Sequence, residues 1–228
     1  MSDAARSLPI VVYSDVVCPW CYVGKRRLEQ ALTSLPPIPS IKVTWRPFEL
    51  NPTMPVGGMD RTTYLEAKFG SMEAFRRLEE QVSAAGASVQ IPFAFENIAR
   101  TPNTFHAHRL IWFAERHDRQ DAVVEALFQG YFVEGVDIGR TSELTELGVR
   151  AGLDRAATTS FLEGDEGTTE VKTEEAAGHR LGIRGVPYFV LDGAYGLSGA
   201  QPVERFTAAI EAVRTHQAGA ADGSTGRR

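Results

Sequence analysis

The chain has few of the features that identify several common protein classes. Its 228 residues include only two cysteines, so all of its thiol chemistry lies in one pair. No apolar run approaches the ~18 residues that span a bilayer. The net charge is -5 and the pI is near 5.6, which argues against nucleic-acid binding and against a basic membrane-binding face. The chain also lacks a phosphate loop and a dinucleotide fingerprint, so nicotinamide, flavin and ATP are not implied.

The beginning of the sequence lacks a long apolar segment and a small-residue cleavage site, so no secretory signal is predicted. We therefore expect a cytoplasmic protein, and in the cytoplasm a lone Cys-x-x-Cys is more often catalytic or metal-binding than structural. A hydrophobic content of 43% suits one globular domain or a domain with an insertion. Residues 1–8 and 217–228 are predicted to be disordered ends.

The first part of the chain predicts a βαβ unit. Residues 9–17 are β-branched and apolar as in a buried strand, and a helix follows from Pro19 to about Leu35, closed by the segment PPIP. Residues 40–50 alternate apolar and polar side chains as in a second strand. The spacing of strand, helix and strand predicts a parallel pair.

From residue 60 to residue 181 the apolar residues follow a helical periodicity and no longer that of a strand. The predicted helices are 60–69, 71–86, 103–117, 119–134, 141–151, 154–163 and 166–181. Their predicted stops are Gly70, Gly86, Gly135, Gly152 and Gly164, and their predicted caps are Asn103, Thr141 or Ser142, and Asp154.

Strands return only as a hairpin at 186–193 and 194–199, followed by a helix from Pro202 to about Val213. The order βαβ…ββα predicts an α/β protein with a thioredoxin-like fold and a large all-helical insertion. Its discontinuous thioredoxin-like domain comprises 9–59 and 182–216, and its insertion comprises 60–181.

The two cysteines lie in the segment CPWC, where the first strand meets the first helix. Pro19 suits the first helical position, which makes Cys18 the N-cap and places Cys21 one turn into the helix. Free amide groups and the helix dipole then favour the Cys18 thiolate, which is the nucleophilic form. Cysteines in such places titrate at about 3.5–7.5 instead of about 8.5. We predict that Cys18 attacks and the less exposed Cys21 resolves.

The pair has two other interpretations. A structural zinc site needs four ligands, and the sequence has no second Cys-x-x-Cys and no His-x-x-x-His. His106 and His108 are two residues apart on a helix and form a poor chelating pair, so no metal is expected. An inert pair of core cysteines is the other alternative, although a helix N-cap is a poor place for inert thiols.

Four segments, SDVVCPWCYVGKRRLE, NTFHAHRL, GVPYFVLDG and LSGAQP, together resemble the DsbA-like oxidoreductases of the FrnE type. The resemblance covers nearly the whole ordered chain and implies a thioredoxin fold with a helical insertion and thiol–disulfide oxidoreductase activity, sometimes with isomerase activity. It makes Cys18 the nucleophile, Cys21 the resolving cysteine and Pro187 a cis-proline beside them. Val186 would offer main-chain groups to an extended substrate.

The related 2-hydroxychromene-2-carboxylate isomerases and kappa-class glutathione transferases share this fold. They generally carry serine at the position of Cys18 and activate glutathione, whereas this chain has both cysteines. We assign Pro19, Trp20 and Val186 to substrate binding, with packing over the sulfurs as the alternative role of Trp20.

Several charged residues near the motif have two interpretations each. Asp15 either makes local hydrogen bonds, which is the favoured interpretation, or tunes a thiol. His108 and Arg109 either line a groove or bridge helices, and neither is assigned to catalysis. Lys25 and Arg26 either add positive potential near the cysteines or form a solvated face.

The sequence thus predicts a cytoplasmic thiol–disulfide oxidoreductase whose cofactor is its own Cys18–Cys21 disulfide, with glutathione as a possible co-substrate. Its partners would be thiol- or disulfide-containing proteins or small molecules, and the helical insertion offers faces for a homodimer. Two alternatives stay open. One is a glutathione-dependent isomerase or transferase acting on a small aromatic or polyketide substrate. The other is a redox-regulated, chaperone-like binding protein.

Overall fold

A parallel pair of strands joined by a helix begins the chain in the computed structural model, which describes residues 7–36 and 41–224. Strand β1 spans Leu8–Ser14, helix α1 spans Pro19–Ser34 and strand β2 spans Ile41–Pro47. β1 and β2 pair in parallel, as predicted. The segment PPIP and the predicted first residue of β2 lie mainly in residues 37–40, outside the described residues.

The next 130 or so residues are mainly helical, as the sequence predicts. The elements are β3 Met59–Asp60, α2 Arg61–Phe69, α3 Met72–Ala87, β4 Arg100–Thr101, α4 Phe105–Glu115, α5 Gln120–Phe132, α6 Thr141–Arg150, α7 Arg155–Glu163 and α8 Thr168–Arg180. The antiparallel pair β3–β4 was not predicted, because two residues per strand are too few to show periodicity.

Several predicted helix ends are confirmed, but three predictions are wrong. Asn103 and Thr141 or Ser142 are not the caps, because the N-cap residues of α4 and α6 are Thr104 and Arg140. The Asp154 carboxylate accepts a hydrogen bond from the Ala157 amide at 2.8 Å, and Gly70 ends α2 with a left-handed φ of 83°. Gly86, a predicted stop, lies inside α3. A Cβ atom there would come within 2.5 Å of the Phe93 ring, so this glycine permits close packing and does not end the helix.

A hairpin and a final helix complete the chain. Strands β5 Tyr188–Leu191 and β6 Tyr195–Ser198 join the sheet in the order β2-β1-β5-β6, with β5 antiparallel to β1. The mixed sheet and the helices before the hairpin give the predicted α/β thioredoxin-like fold.

The last helix is longer than predicted. Helix α9 spans Val203–Ser224, so residues 217–224 are helical where the sequence predicts a disordered end. Despite its small and polar composition, this segment contains three alanines, and alanine has the highest helix propensity. At the other end Leu8 already belongs to β1 and is buried. Residues 1–6 and 225–228 lie outside the described residues.

One continuous core joins the sheet to the inserted helices. Ile10 and Val12 of β1 pack in the same cluster as Phe206 of α9 and Phe128 of α5. The opposite face of the sheet carries a smaller cluster of Tyr13, Phe48 and Ile183. The end of β1 is therefore enclosed on both faces, and the segment that follows it, which contains the CPWC motif, begins in a buried environment.

Candidate active site

Cys18 occupies the N-cap of α1, as the sequence predicts, and Pro19 follows at the first helical position. The Cys18 amide donates to the Asp15 carbonyl and the Cys21 amide donates to the Cys18 carbonyl, both at 3.0 Å. The first of these bonds closes the turn after β1, and the second begins the helix. The two sulfurs are thus held by local backbone geometry at the junction of strand and helix.

The Cys18 sulfur has a different partner from the one expected at a helix N-cap. In the described part of the chain its side chain makes no capping hydrogen bond to a helix amide. Both cysteines are free thiols, and the Cys18 thiol donates to the Val186 carbonyl across 3.6 Å. A protonated thiol is a weak donor and needs an acceptor, which explains why it faces this carbonyl.

Cys21 is the more deeply placed thiol. Its exposed fraction is 0%, against 6% for Cys18. Burial raises the pKa of Cys21 well above its usual value, and the neighbouring Cys18 raises it further, whereas the Ser14 hydroxyl and the Asp15 backbone act in the opposite direction. Cys18 is therefore the sulfur that an external partner can reach, and Cys21 is the shielded one.

The bond between Val186 and Pro187 is cis, as predicted. Pro187 packs against α1 at Gly24, where a Cβ atom would lie 3.0 Å from its Cγ and 3.1 Å from Cζ of Phe189. Only glycine leaves ordinary room for this contact one turn beyond Cys21. The approach fixes the Val186 carbonyl beside Cys18.

A cavity of about 250 Å³ opens beside Cys18, and the predicted residues Pro19 and Trp20 line it with that cysteine. Trp20 is 37% exposed at this cavity. Val186 is not among the residues that line the cavity, so the structure separates it from Pro19 and Trp20.

The opposite wall of the cavity comes from the inserted helices α2 and α3, and sequence reasoning did not assign these residues to the site. They include Arg61, Tyr64, Leu65, Lys68, Phe69, Phe75 and Leu78. Their apolar members follow helical periodicity and are indistinguishable in the sequence from residues that fill a core. No local signal identifies them as a wall beside Cys18.

Asp15 forms part of the support beneath the motif. Its carboxylate is fully buried and accepts hydrogen bonds from the Leu50 amide at 2.7 Å and the Val17 amide at 3.5 Å. His108 of α4 lies on the other side of this carboxylate. The favoured interpretation of local hydrogen bonding is thus correct, and a contact with the inserted helices adds to it.

The other charged candidates, Arg109, Lys25 and Arg26, make contacts that hold elements of the fold together. Arg109 is buried and donates to the carbonyls of Phe161, Gly164 and Glu166, so it bridges helices and lines no groove. The Lys25 side chain is only 3% exposed and pairs with Asp121 at 3.2 Å, with Glu125 at 3.1 Å and with Glu29. The Arg26 side chain joins the same network through Glu29 and Glu125. The interpretation of Lys25 as part of a solvated face is therefore wrong.

The described residues contain neither a candidate metal site nor a candidate membrane-spanning helix. No group of three or more His, Cys, Asp or Glu side chains there has the arrangement of a metal site. No described helix combines the length and the apolar character needed to cross a membrane.

Comparison with known proteins places this geometry among related chains. Residues 9–211 match the family described as DSBA-like thioredoxin domain. An uncharacterized protein of Bacillus subtilis, YwbO, is 31% identical over 154 residues, which cover 68% of this chain and 71% of that protein.

Solved structures share the whole fold. The crystal structure of a probable DsbA oxidoreductase from Streptomyces coelicolor has a TM-score of 0.82 and 37% identity, covering 89% of this chain and 88% of the other. A 2-hydroxychromene-2-carboxylate isomerase has a TM-score of 0.70 at 16% identity, covering 92% of this chain and 98% of the other, which shows a common fold. The predicted relationship between these two groups is confirmed at the level of the fold.

Proposed function

The chain belongs to the family of DSBA-like thioredoxin domains, and we propose that it is a thiol–disulfide oxidoreductase with Cys18 and Cys21 as its redox pair. One observation carries the proposal: Cys18 lines an open cavity, whereas Cys21 is completely buried behind it. An external disulfide therefore meets Cys18 first. Cys21 lies one helical turn away, where its sulfur can attack the Cys18 sulfur of the mixed disulfide and release the substrate.

The reaction follows from this order. The Cys18 thiolate attacks one sulfur of a substrate disulfide, forming a mixed disulfide and releasing the first substrate thiolate. The Cys21 thiolate then attacks the Cys18 sulfur and releases the second thiolate. The substrate gains two electrons, the protein acquires the Cys18–Cys21 disulfide, and the two cysteine protons end on the released thiols. The reverse sequence oxidises a dithiol substrate.

The groups around Cys18 have separate roles in this proposal. The Val186 carbonyl and the cis Pro187 lie on one side of the sulfur and suit the main chain of an extended substrate. Pro19 and Trp20 lie toward the cavity and contact the part of the substrate that enters it. We place this chemistry in the cytoplasm, where glutathione or another thiol resets the pair.

A second candidate has an observation of its own. The cavity has the volume for a small molecule, and an isomerase of 2-hydroxychromene-2-carboxylate shares the fold. A glutathione-dependent isomerase or transferase that uses this cavity would need bound glutathione and not a second protein thiol. The retained Cys18–Cys21 pair therefore favours the oxidoreductase.

Single cysteine variants test the proposal. With reduced protein and a disulfide substrate, Cys18→Ser should abolish electron transfer, and Cys21→Ser should stop after one mixed disulfide, which mass spectrometry detects. An isomerase that uses glutathione would keep its activity in Cys18→Ser, and a chaperone-like protein would keep its binding of unfolded chains. Unchanged disulfide reduction by Cys18→Ser would refute the redox role.

A further inference from the structure

The cavity beside Cys18 combines apolar walls with cationic side chains. Helices α2 and α3 contribute Leu65, Phe69, Phe75 and Leu78. Phe95 and Phe132 belong to the lining as well. An apolar cavity of this size suits an aromatic ring or a branched aliphatic group.

Arg61 and Lys68 provide positive charge in the lining. Arg61 packs near the rings of Phe75 and Phe95, at 5.6 and 5.9 Å from their centres, and donates to the Tyr131 hydroxyl at 3.3 Å. Within the ranges 7–36 and 41–224, neither cation has a carboxylate within 4.0 Å. Neither cation is therefore held in a direct ion pair, and Arg61 acts on Glu79 of the same lining only through its charge.

Lys68 is placed by neutral groups. Its ammonium donates to the Tyr64 hydroxyl at 2.6 Å and to Oδ1 of Asn51 at 3.4 Å. Glu79 is the one acidic residue in the cavity lining, against the two cations Arg61 and Lys68; burial raises its pKa, and the charge of Arg61 acts in the opposite direction. The balance of charge around the cavity is positive and complements an anion.

We propose that this cavity binds the organic part of a low-molecular-weight disulfide or thiol that combines an apolar, ring-sized body with a carboxylate or similar anionic group. The apolar body lies against α2 and α3, the anionic group meets Lys68 and Arg61, and the substrate sulfur lies at Cys18. This inference rests on the proposed oxidoreductase function and names its substrate class.

The redox step is the one already described. The Cys18 thiolate forms a bond to one sulfur of the small disulfide and the sulfur–sulfur bond of that substrate breaks, with one thiolate leaving. Attack by Cys21 releases the second, so one disulfide becomes two thiols as the protein pair is oxidised. A polypeptide substrate would use the Val186 side of Cys18, which the cavity does not include.

Three small disulfide substrates distinguish the effect of negative charge on binding from the effect of apolar character. Dithiobis(nitrobenzoate) is aromatic and anionic, dithiodipyridine is aromatic and neutral, and glutathione disulfide is anionic but polar. Reduced protein is mixed with each, and the concentration dependence of the single-turnover rate is measured. Lys68→Met should weaken apparent binding of dithiobis(nitrobenzoate) by about three- to tenfold and change that of dithiodipyridine by less than about twofold, because a charge-assisted contact is lost only with the anion.

Two further variants complete the design. Arg77→Met removes an exposed cation of α3 that pairs with Glu73 outside the cavity and should leave all three substrates unchanged. Leu78→Gln, at an exposed position of the cavity wall, should weaken both aromatic disulfides and spare glutathione disulfide. Equal effects of Lys68→Met on the charged and neutral aromatic probes, or no effect on either, would overturn the proposal.

A redox-independent measurement distinguishes the two levels of inference. Anilinonaphthalene sulfonate is an aromatic anion without a disulfide, and it should bind to the Cys18→Ser variant. It should bind less tightly to the double variant that carries both Cys18→Ser and Lys68→Met. If this holds while no disulfide reacts with the wild-type protein, the oxidoreductase function fails and the binding site stands. If the disulfides react but none depends on Lys68 or Leu78, the oxidoreductase stands and the substrate class is wrong.

Discussion

Nε2 of His108 lies 3.5 Å from Oδ1 of Asp15, and both side chains are buried beside the turn that carries Cys18. Asp15 belongs to the segment after β1, and His108 belongs to α4 of the inserted helices. The contact therefore connects the support of the CPWC motif to the inserted helices. Burial lowers the pKa of His108, whereas the negative charges of Asp15, Glu49 and Glu175 raise it. The effect of Asp15 is the largest of the three, and the net result is a raised pKa.

Asp15→Ala should destabilise the protein by about 2–4 kcal/mol, because the buried Leu50 amide loses its acceptor and His108 loses its carboxylate. Urea unfolding at pH 6 measures the change. Asp137→Ala is a control, since its carboxylate accepts a local bond from the Gly139 amide and faces Arg100 only at 4.0 Å. Equal, small losses in both variants would contradict the role of Asp15.

The stability of the protein should fall as the pH rises from about 5 to 7.5. Burial raises the pKa of Glu49 to about 7, with Glu175 and Asp15 adding to the effect and His108 and Lys172 opposing it. The folded state therefore binds more protons than the unfolded state, in which Glu49 titrates near 4.5, and its advantage is lost as the pH passes through the folded value. His108, whose pKa is also raised, changes stability in the same direction above about 6.5.

Glu49→Gln should reduce this pH dependence, because glutamine stays neutral throughout the range. The measurement is the urea midpoint at several pH values for both proteins. A wild-type midpoint that rises between pH 5 and 7, or an unchanged slope in Glu49→Gln, would show that Glu49 ionises normally in the folded state.

The two cysteines should react with alkylating reagents at very different rates. Iodoacetamide at neutral pH should modify Cys18 at least about tenfold faster than Cys21, because burial excludes the reagent from Cys21 and raises its pKa. Quenched time points and peptide mass spectrometry assign the sites. The single-thiol variants Cys18→Ser and Cys21→Ser give the separate rates, and equal rates would contradict the assignment of Cys18 as the accessible thiol.

Gly24→Ala should cost about 1–3 kcal/mol of stability and slow disulfide exchange, because the added methyl group meets Pro187 and Phe189. Gly219→Ala is the matched control, since Gly219 is also helical and has no atom within 4 Å of the added Cβ position. That variant should be neutral or stabilising by up to about 1 kcal/mol. A neutral Gly24→Ala would indicate that Pro187 moves without loss.

The sequence could predict most of the element order, because the relevant signals are local. Pro19 after Cys18 indicates a helix start, and Asp154 caps α7 through atoms three residues away. Gly86 shows the limit of such reasoning, since the ring that it accommodates belongs to Phe93 in the next segment. The short β3–β4 pair similarly depends on partners about 40 residues apart.

By itself the sequence determined that one cysteine pair lies at a helix N-terminus after a buried strand and that helices separate the two parts of the sheet. Tertiary structure alone decided that Lys25 is buried, that Asp15 meets His108, and that Lys68 lines a cavity with Cys18. The physical reason is the distance along the sequence over which each kind of interaction acts. Caps and periodicity act within a few residues, whereas a cavity wall and a buried charge exist only after distant helices have packed.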